Sequence, residues 1–324
     1  MNLTLPIAAG LLAVYIFWGG TYLAMKFAIE TMPPFLMAGI RFLTAGALVY
    51  AWQMSKGTPR PSVEHWKNAA IVGGLLLLCG NGGVVWAEQT VSSGIAAIIV
   101  ATVPLWMALI AWLWQGGQRP NGLILGGLLT GFIGIILLVK STGGDVSGTA
   151  APWTGYAALV GASLAWAIGS LYSRVAKLPE APLLAIALQM LTGGFFCLTF
   201  GLLTGEAGQF HVAAISLQSA LALGYLIFFG SIIGFSAFIW LLKAADPTLA
   251  STYAYVNPIV AVILGWLLAG EQMTLQAAAA AAIIVTSVVM ITKGNQHNNK
   301  AADIGENAAA QGKKSPNSRQ LCGR

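Results

Sequence analysis

Residues 252–272 read TYAYVNPIVAVILGWLLAGEQ. Almost every side chain in this stretch is apolar, yet Asn257 and Pro258 stand side by side near its start. Some 20 apolar residues make a helix long enough to cross a bilayer. Proline removes a backbone donor and disfavours helix at the residue before it. An apolar segment of spanning length with a polar interruption of this kind is a pointer to a membrane helix that lines a site.

The same character extends outward through the chain. Of 324 residues, 57% are hydrophobic and 8% are charged, against about 25% charged in soluble domains. So few charges cannot cover a water-facing surface. Runs without a charged residue cover 1–25, 68–87, 89–118, 120–139, 146–173, 181–205, 207–242, 247–270 and 272–292. Backbone in hydrocarbon must satisfy its own hydrogen bonds, so these runs predict helices. They are too uniformly apolar for the alternating strands of an outer-membrane barrel.

The fold predicted is an all-α membrane protein of ten transmembrane helices. The spans fall at about 7–26, 33–54, 68–88, 91–114, 121–140, 153–174, 182–204, 216–240, 247–269 and 274–293. The first is not expected to be a cleaved signal peptide, since no basic residue precedes it and nine spans follow. Residues 295–324 are polar and predict a disordered cytoplasmic tail. Cys79, Cys197 and Cys322 are expected to be free thiols. With the amino terminus inside, thirteen of the sixteen basic residues fall on the inner side and only Lys26 and Lys140 on the outer. The positive-inside rule then puts both termini in the cytoplasm. The net charge of +6 is spread over short loops and a tail, which excludes nucleic acid as a partner.

The chain also repeats itself. At an offset of 148, Trp18 falls on Trp166, Lys26 on Arg174, Pro34 on Pro182, and FLTAG from Phe42 on MLTGG from Met190. At an offset of 154, Pro104 meets Pro258. Residues 1–145 and 146–294 therefore read as two five-span repeats. An odd number of spans per repeat inserts the copies in opposite sense, a plan common among secondary transporters.

Three segments carry a family resemblance: FWGGTYLAMKFAIETMPPFLMAGIRF (17–42), GNGGVVWAEQTVSSGIAAIIVATVPLW (80–106) and STYAYVNPIVAV (251–262). They resemble the EamA family of the drug/metabolite transporter superfamily, and within it the YedA-type inner-membrane permeases. The resemblance covers all ten spans and omits the tail. It implies two inverted five-helix EamA repeats, a central cavity, and movement of small metabolites, often outward. Many members carry an acid after the fourth and ninth spans. Glu271 fits the second position, whereas the first reads WQGGQRP with no acid.

Candidate site residues follow from polarity at depth. Pro104 and Pro258 leave the carbonyls of Val100 and Ala254 without their usual partners and are candidate hinges. Tyr253 and Asn257, four apart, share a helix face, whereas Tyr255 points elsewhere. Arg41 lies about seven residues into the second span, where a charge is costly and faces a cavity, a partner or a substrate. An ion pair with Glu88, a substrate carboxylate, and snorkelling of the side chain to the interface all stay open. Asn81 lies among glycines that favour close helix approach. Trp18 and Trp166, with Tyr22, occupy mid-span places that suit either a core or a cavity wall. Glu88 and Glu271 are candidate coupling acids.

No catalytic set is legible. His65, His211 and His297 are too scattered for a metal site, and no phosphate loop is present, so neither metal nor cofactor is expected. The reading is a secondary transporter, of export direction by resemblance, for small organic metabolites such as amino acids or drug-like amphiphiles. Its partners are that solute and the lipid bilayer, with a homodimer left open. The rivals are a membrane scaffold or sensor without solute flux, an intramembrane enzyme, and a facilitative importer of the same solutes.

Overall fold

The computed structural model describes residues 4–91, 93–114, 119–141, 153–269 and 274–313. Among these residues every regular element is helical and no strand is present. Eight helices are long and apolar enough to cross a membrane: Leu5–Ile29, Pro34–Ser55, Val63–Ala87, Gly122–Ser141, Trp153–Val175, Pro182–Leu203, Leu217–Ala244 and Leu275–Asn298. They are spans 1, 2, 3, 5, 6, 7, 8 and 10. Spans 4 and 9 are each made of two pieces, Ser93–Val100 with Val103–Trp114, and Pro247–Ala250 with Tyr253–Ala269. Large apolar side chains such as Leu129, Phe195 and Leu221 remain outside the fold, where acyl chains, unlike water, solvate them.

Matching sequence signals start matching helices. Pro34 and Pro182 occupy the first turns of spans 2 and 7, where a missing N–H costs nothing. Ser62 and Ser216 cap spans 3 and 8, accepting from His65 N and Ser219 N. Each of those two spans then winds through a π-helical stretch, Gly74–Gly82 in one and Leu226–Phe235 in the other. Such turns are uncommon and concentrate at functional sites.

Contacts between spans are reciprocal. Span 2 packs along span 7, and span 5 along span 10. Span 1 packs on span 9, and span 6 on span 4; span 3 packs on span 6, and span 8 on span 1. Adding five to each number exchanges these pairs, as a two-fold axis between the repeats requires. Without a hydrophobic force between helices in lipid, small residues carry such contacts. A Cβ at Gly194 would lie 2.7 Å from Leu43 N, and one at Gly134 2.6 Å from the Ile284 side chain.

Two expectations change. Span 10 does not stop at 293: the helix runs from Leu275 to Lys313. Asn121 Nδ2 donates to Gly294 O at 2.8 Å and to Asn298 Oδ1 at 2.7 Å, and Asn298 Nδ2 donates to Arg119 O at 3.3 Å. These bonds tie the first turns beyond the apolar segment to the start of span 5, and the alanine-rich stretch that follows has no proline to end the helix. Residues 314–324, with Cys322, lie outside the described residues.

The second change concerns the breaks. Span 4 breaks at Ala101 and Thr102, span 9 at Ser251 and Thr252, two residues before Pro104 and six before Pro258. Pro104 stands in the first turn of the helix that follows, and Pro258 lies inside a continuous one. Threonine closes both breaks. Thr102 N and Oγ1 donate to Ile99 O at 3.0 and 2.6 Å. Thr252 N and Oγ1 donate to Leu249 O at 3.2 and 2.7 Å. An aromatic donor then completes each hydroxyl: Trp106 Nε1 donates to Thr102 Oγ1 at 3.2 Å, and Tyr15 OH to Thr252 Oγ1.

Candidate functional site

The interleaved spans enclose a cavity of about 90 Å³ at the interface of the two repeats. Its wall draws on spans 1, 2, 3, 4, 6, 8 and 9. Val100 and Val103, on either side of the span 4 break, face it, and Tyr253 and Asn257 face it just after the span 9 break. The π-helical stretches contribute Leu77, Gly80 and Asn81 from one repeat and Gly230 and Phe235 from the other.

Aromatic rings form one side. Trp18 and Trp166 meet edge to face at 5.7 Å, Trp18 and Tyr253 at 4.8 Å. Phe238 lies behind them, 5.1 Å from Trp18, 5.6 Å from Trp166 and 5.4 Å from Tyr253. Trp18 Nε1 donates to Gly230 O at 2.9 Å, which fixes its ring. These edge-on arrangements suit the ring quadrupoles and leave a stiff apolar surface.

Arg41 also lines the cavity and is 4% exposed. Its Nε donates to Ser231 Oγ at 2.8 Å, and its guanidinium lies 4.7 Å over the Phe42 ring. Gly230 makes room for it, since a Cβ there would sit 2.8 Å from Nη2. The ion pair with Glu88 does not form. Glu88 terminates span 3 away from the wall, and the ion pair among the described residues joins Lys177 to Glu64 at 3.1 Å.

Four buried polar atoms on this wall have no protein partner: Arg41 Nη1, Trp166 Nε1, Asn81 Oδ1 and Asn257 Oδ1. Buried polar groups are nearly always hydrogen-bonded, and each exception calls for an explanation. Two donors and two acceptors around one cavity form a set that a polar solute can complete.

Six of the seven residues expected to bind substrate thus come together: Trp18, Arg41, Asn81, Trp166, Tyr253 and Asn257. The side chain of Tyr22 lies outside the described residues, as does Glu271 entirely. Pro104 and Pro258 are not on the wall. Tyr255 is 1% exposed and donates to Leu128 O at 3.3 Å, so it packs span 9 onto span 5. Sequence reasoning missed Thr21, Met25, Phe42, Ser163 and Ser231. Their residue types carry no polarity signal above the background of ordinary spans; only Ser231 could have been sought, as a hydroxyl at the depth of Arg41.

A model described as the EamA-like transporter family matches residues 5–140 and again 153–293. An Escherichia coli (strain K12) protein named "Uncharacterized inner membrane transporter YedA" is 42% identical over 271 residues, 83% of this chain and 85% of that protein. "Protein PagO" of Salmonella typhimurium is 29% identical over 80% of this chain and 85% of its own length. A solved crystal structure at 20% identity covers 90% of this chain and 98% of its own with a TM-score of 0.73, which shows a shared fold. The chain therefore belongs to the EamA-like transporter family.

Proposed function

We propose that the chain is a secondary transporter that moves small organic metabolites, amino acids or drug-like amphiphiles among them, out across the inner membrane. The observation that carries this reading is the cavity between the repeats, with its aromatic side and its four unpartnered polar atoms. The distribution of basic residues supports cytoplasmic termini.

The reciprocal contacts support alternating access. If the repeats are related by a two-fold axis, each can adopt the arrangement of the other, so a cavity open to one face becomes open to the opposite one. The breaks at Thr102 and Thr252 interrupt spans 4 and 9 beside the cavity-lining Val100, Val103 and Tyr253. Glu88 and Glu271, at span ends, are the acids through which proton coupling would run. The relative from E. coli, named an inner membrane transporter, supports the membrane assigned.

Purified protein in liposomes tests the reading. Saturable flux of a solute that also raises the protein's melting temperature is expected, because only ligands that bind the native state stabilise it. Specific binding without flux would instead indicate a sensor, and chemical conversion an enzyme.

A further inference from the structure

The start of span 1 and the end of span 10 lie on one face of the ten-span fold, the near face. The cavity extends from mid-depth toward the other, far face. Thr21 and Met25 stand in the last turns of span 1, Arg41 seven residues into span 2, and Val84 three residues before span 3 ends. Away from the wall, the buried polar atoms without a protein partner among the described residues are Ser170 Oγ, both amide atoms of Gln189, Ser236 Oγ and Asn295 Nδ2. Asn295 stands at the near end of span 10. The other three side chains stand deep in the near half. Ser170 lies five residues before the end of span 6, Gln189 seven residues into span 7, and Ser236 eight residues before the end of span 8.

These positions are the repeat images of the cavity. The offset of 148 places Gln189 on Arg41, and Gly169, next to Ser170, on Thr21. Aligning the π-helical stretches at their first residues, Gly74 and Leu226, places Ser236 on Val84. Where Thr21 faces the cavity, Gly169 is packed shut: a Cβ there would lie 2.8 Å from the Leu75 side chain. Ser170 and Gln189 are 0% exposed. A buried hydroxyl or amide left without a partner is costly, and each such group calls for an explanation. A second state, in which water and solute reach these groups from the near face, supplies one.

One bond between the repeats holds that half closed. Tyr15 OH, in the near half of span 1, is bonded to Thr252 Oγ1 at the break of span 9, and Thr252 is 0% exposed. The offset of 148 places Ser163 on Tyr15, and Thr102 closes the matching break of span 4. There the shorter side chain makes no such link: Ser163 Oγ donates to Ile99 O at 3.4 Å and faces the cavity. We propose that the Tyr15–Thr252 bond is a gate, and that parting it opens an uncharged passage to the near face lined by Ser170, Gln189 and Ser236. The inference rests on the transporter reading and goes beyond it by naming the path of the opposite state. The passage is not a binding site, so no single one of its three polar groups is indispensable to flux.

The test introduces single cysteines into the full-length protein after Cys79, Cys197 and Cys322 are changed to alanine. Ser170→Cys and Gln189→Cys probe the passage, Val84→Cys the far side of the cavity, and the exposed Ser55→Cys, at the end of span 2, marks the near face. A membrane-impermeant maleimide is applied to right-side-out and to inverted membrane vesicles. Ser170→Cys and Gln189→Cys are expected to label only from the face that labels Ser55→Cys, and more slowly than it does. Tyr15→Phe removes the hydroxyl and keeps the ring. It should raise labelling at both passage positions roughly three- to tenfold, the weight of one hydrogen bond, with no rise at Val84→Cys. The proposal is overturned if neither position labels with or without Tyr15→Phe, if labelling comes from the far face, or if Tyr15→Phe speeds all three sites alike, as general loosening does. Should Gln189→Cys fail to fold, Ser170→Cys, nearly unchanged in size, decides. Flux of labelled L-leucine and of the dye ethidium in liposomes, one for each solute class of the transporter reading, separates the two claims. Gated labelling without flux of either sinks transport of those classes and leaves the gate standing. Flux with neither passage position labelled sinks the gate and leaves transport standing.

Discussion

Trp18 and Trp166 occupy the same place in the two repeats, yet Trp18 donates its indole N–H to Gly230 O while Trp166 donates to no protein group. Arg41 and Gln189 show a wider divergence. Both are buried, but Arg41 lines the cavity and binds Ser231, whereas both amide atoms of Gln189 are unpartnered away from the wall. Thr102 and Thr252, by contrast, close their breaks with the same pair of bonds to the third preceding carbonyl. Backbone devices are shared between the halves: breaks, π-helical stretches, caps and small-residue contacts. Side-chain chemistry at the cavity is not. On the transporter reading, a two-fold related frame would permit exchange between states, while an unsymmetrical wall would let a solute, itself without symmetry, bind in one orientation.

The largest effect is expected where the halves differ most. If Arg41 contacts the solute, as its place on the cavity wall suggests, Arg41→Ala should cut transport on the order of a hundredfold. Gln189→Leu should leave transport within about twofold and hold or raise stability, because it replaces unpartnered buried polar atoms with apolar ones of similar size. Initial rates in liposomes, beside melting curves, measure both. Equal losses at the two positions would mean that the wall is functionally symmetrical after all.

Next come the shared turns. Thr102→Val and Thr252→Val keep the shape of the side chain but remove its donor and strand an aromatic N–H or O–H, at a cost of about 1–3 kcal/mol each. The two variants should lose similar stability and should slow turnover more than they weaken binding. A large effect at one threonine and none at the other would show that the two breaks are not equivalent. Smaller still is the contrast between the tryptophans. Trp18→Phe gives up a made hydrogen bond and leaves Gly230 O short of a donor, so it should cost about 1 kcal/mol of stability. Trp166→Phe gives up no protein hydrogen bond, so it should cost less than Trp18→Phe, the loss being that of the trimmed ring contacts with Trp18 and Phe238.

The frame was legible in the sequence to a large degree. Uncharged runs located the spans, because length and apolarity are all that a bilayer asks of a helix. The matched Trp and Pro residues, with FLTAG over MLTGG, exposed the repeat, and depth alone picked out Arg41, Asn81 and Asn257. What stayed hidden depends on partners distant in sequence. Arg41 is held by Ser231, 190 positions away, and no local pattern distinguishes that serine from its neighbours. Composition suggested a loose tail after 294, yet Asn121 binds Gly294 and Asn298, a contact that exists only once span 5 lies along span 10.

The prolines give the finest division between the halves. Both lie in the two interrupted spans, two and six residues after the breaks. Pro104 lies in the opening turn of its helix, where the absent N–H has no acceptor to disappoint. Pro258 lies inside its helix, where it denies a partner to the Ala254 carbonyl. The breaks themselves are closed by threonine hydroxyls with the prolines downstream. Pro104→Ala should therefore change neither stability nor turnover by more than about 0.5 kcal/mol, the scale of a substitution that meets no special feature. Pro258→Ala restores one backbone bond and stiffens the helix below the break, so a modest gain in stability is expected. Its turnover should fall less than in Thr252→Val, because the helix is interrupted at Ser251 and Thr252. Turnover in liposomes, compared with the affinity read from melting curves, discriminates the two positions. If Pro258→Ala slows turnover more than Thr252→Val does, the moving point of span 9 is the proline, and the two repeats bend at different places.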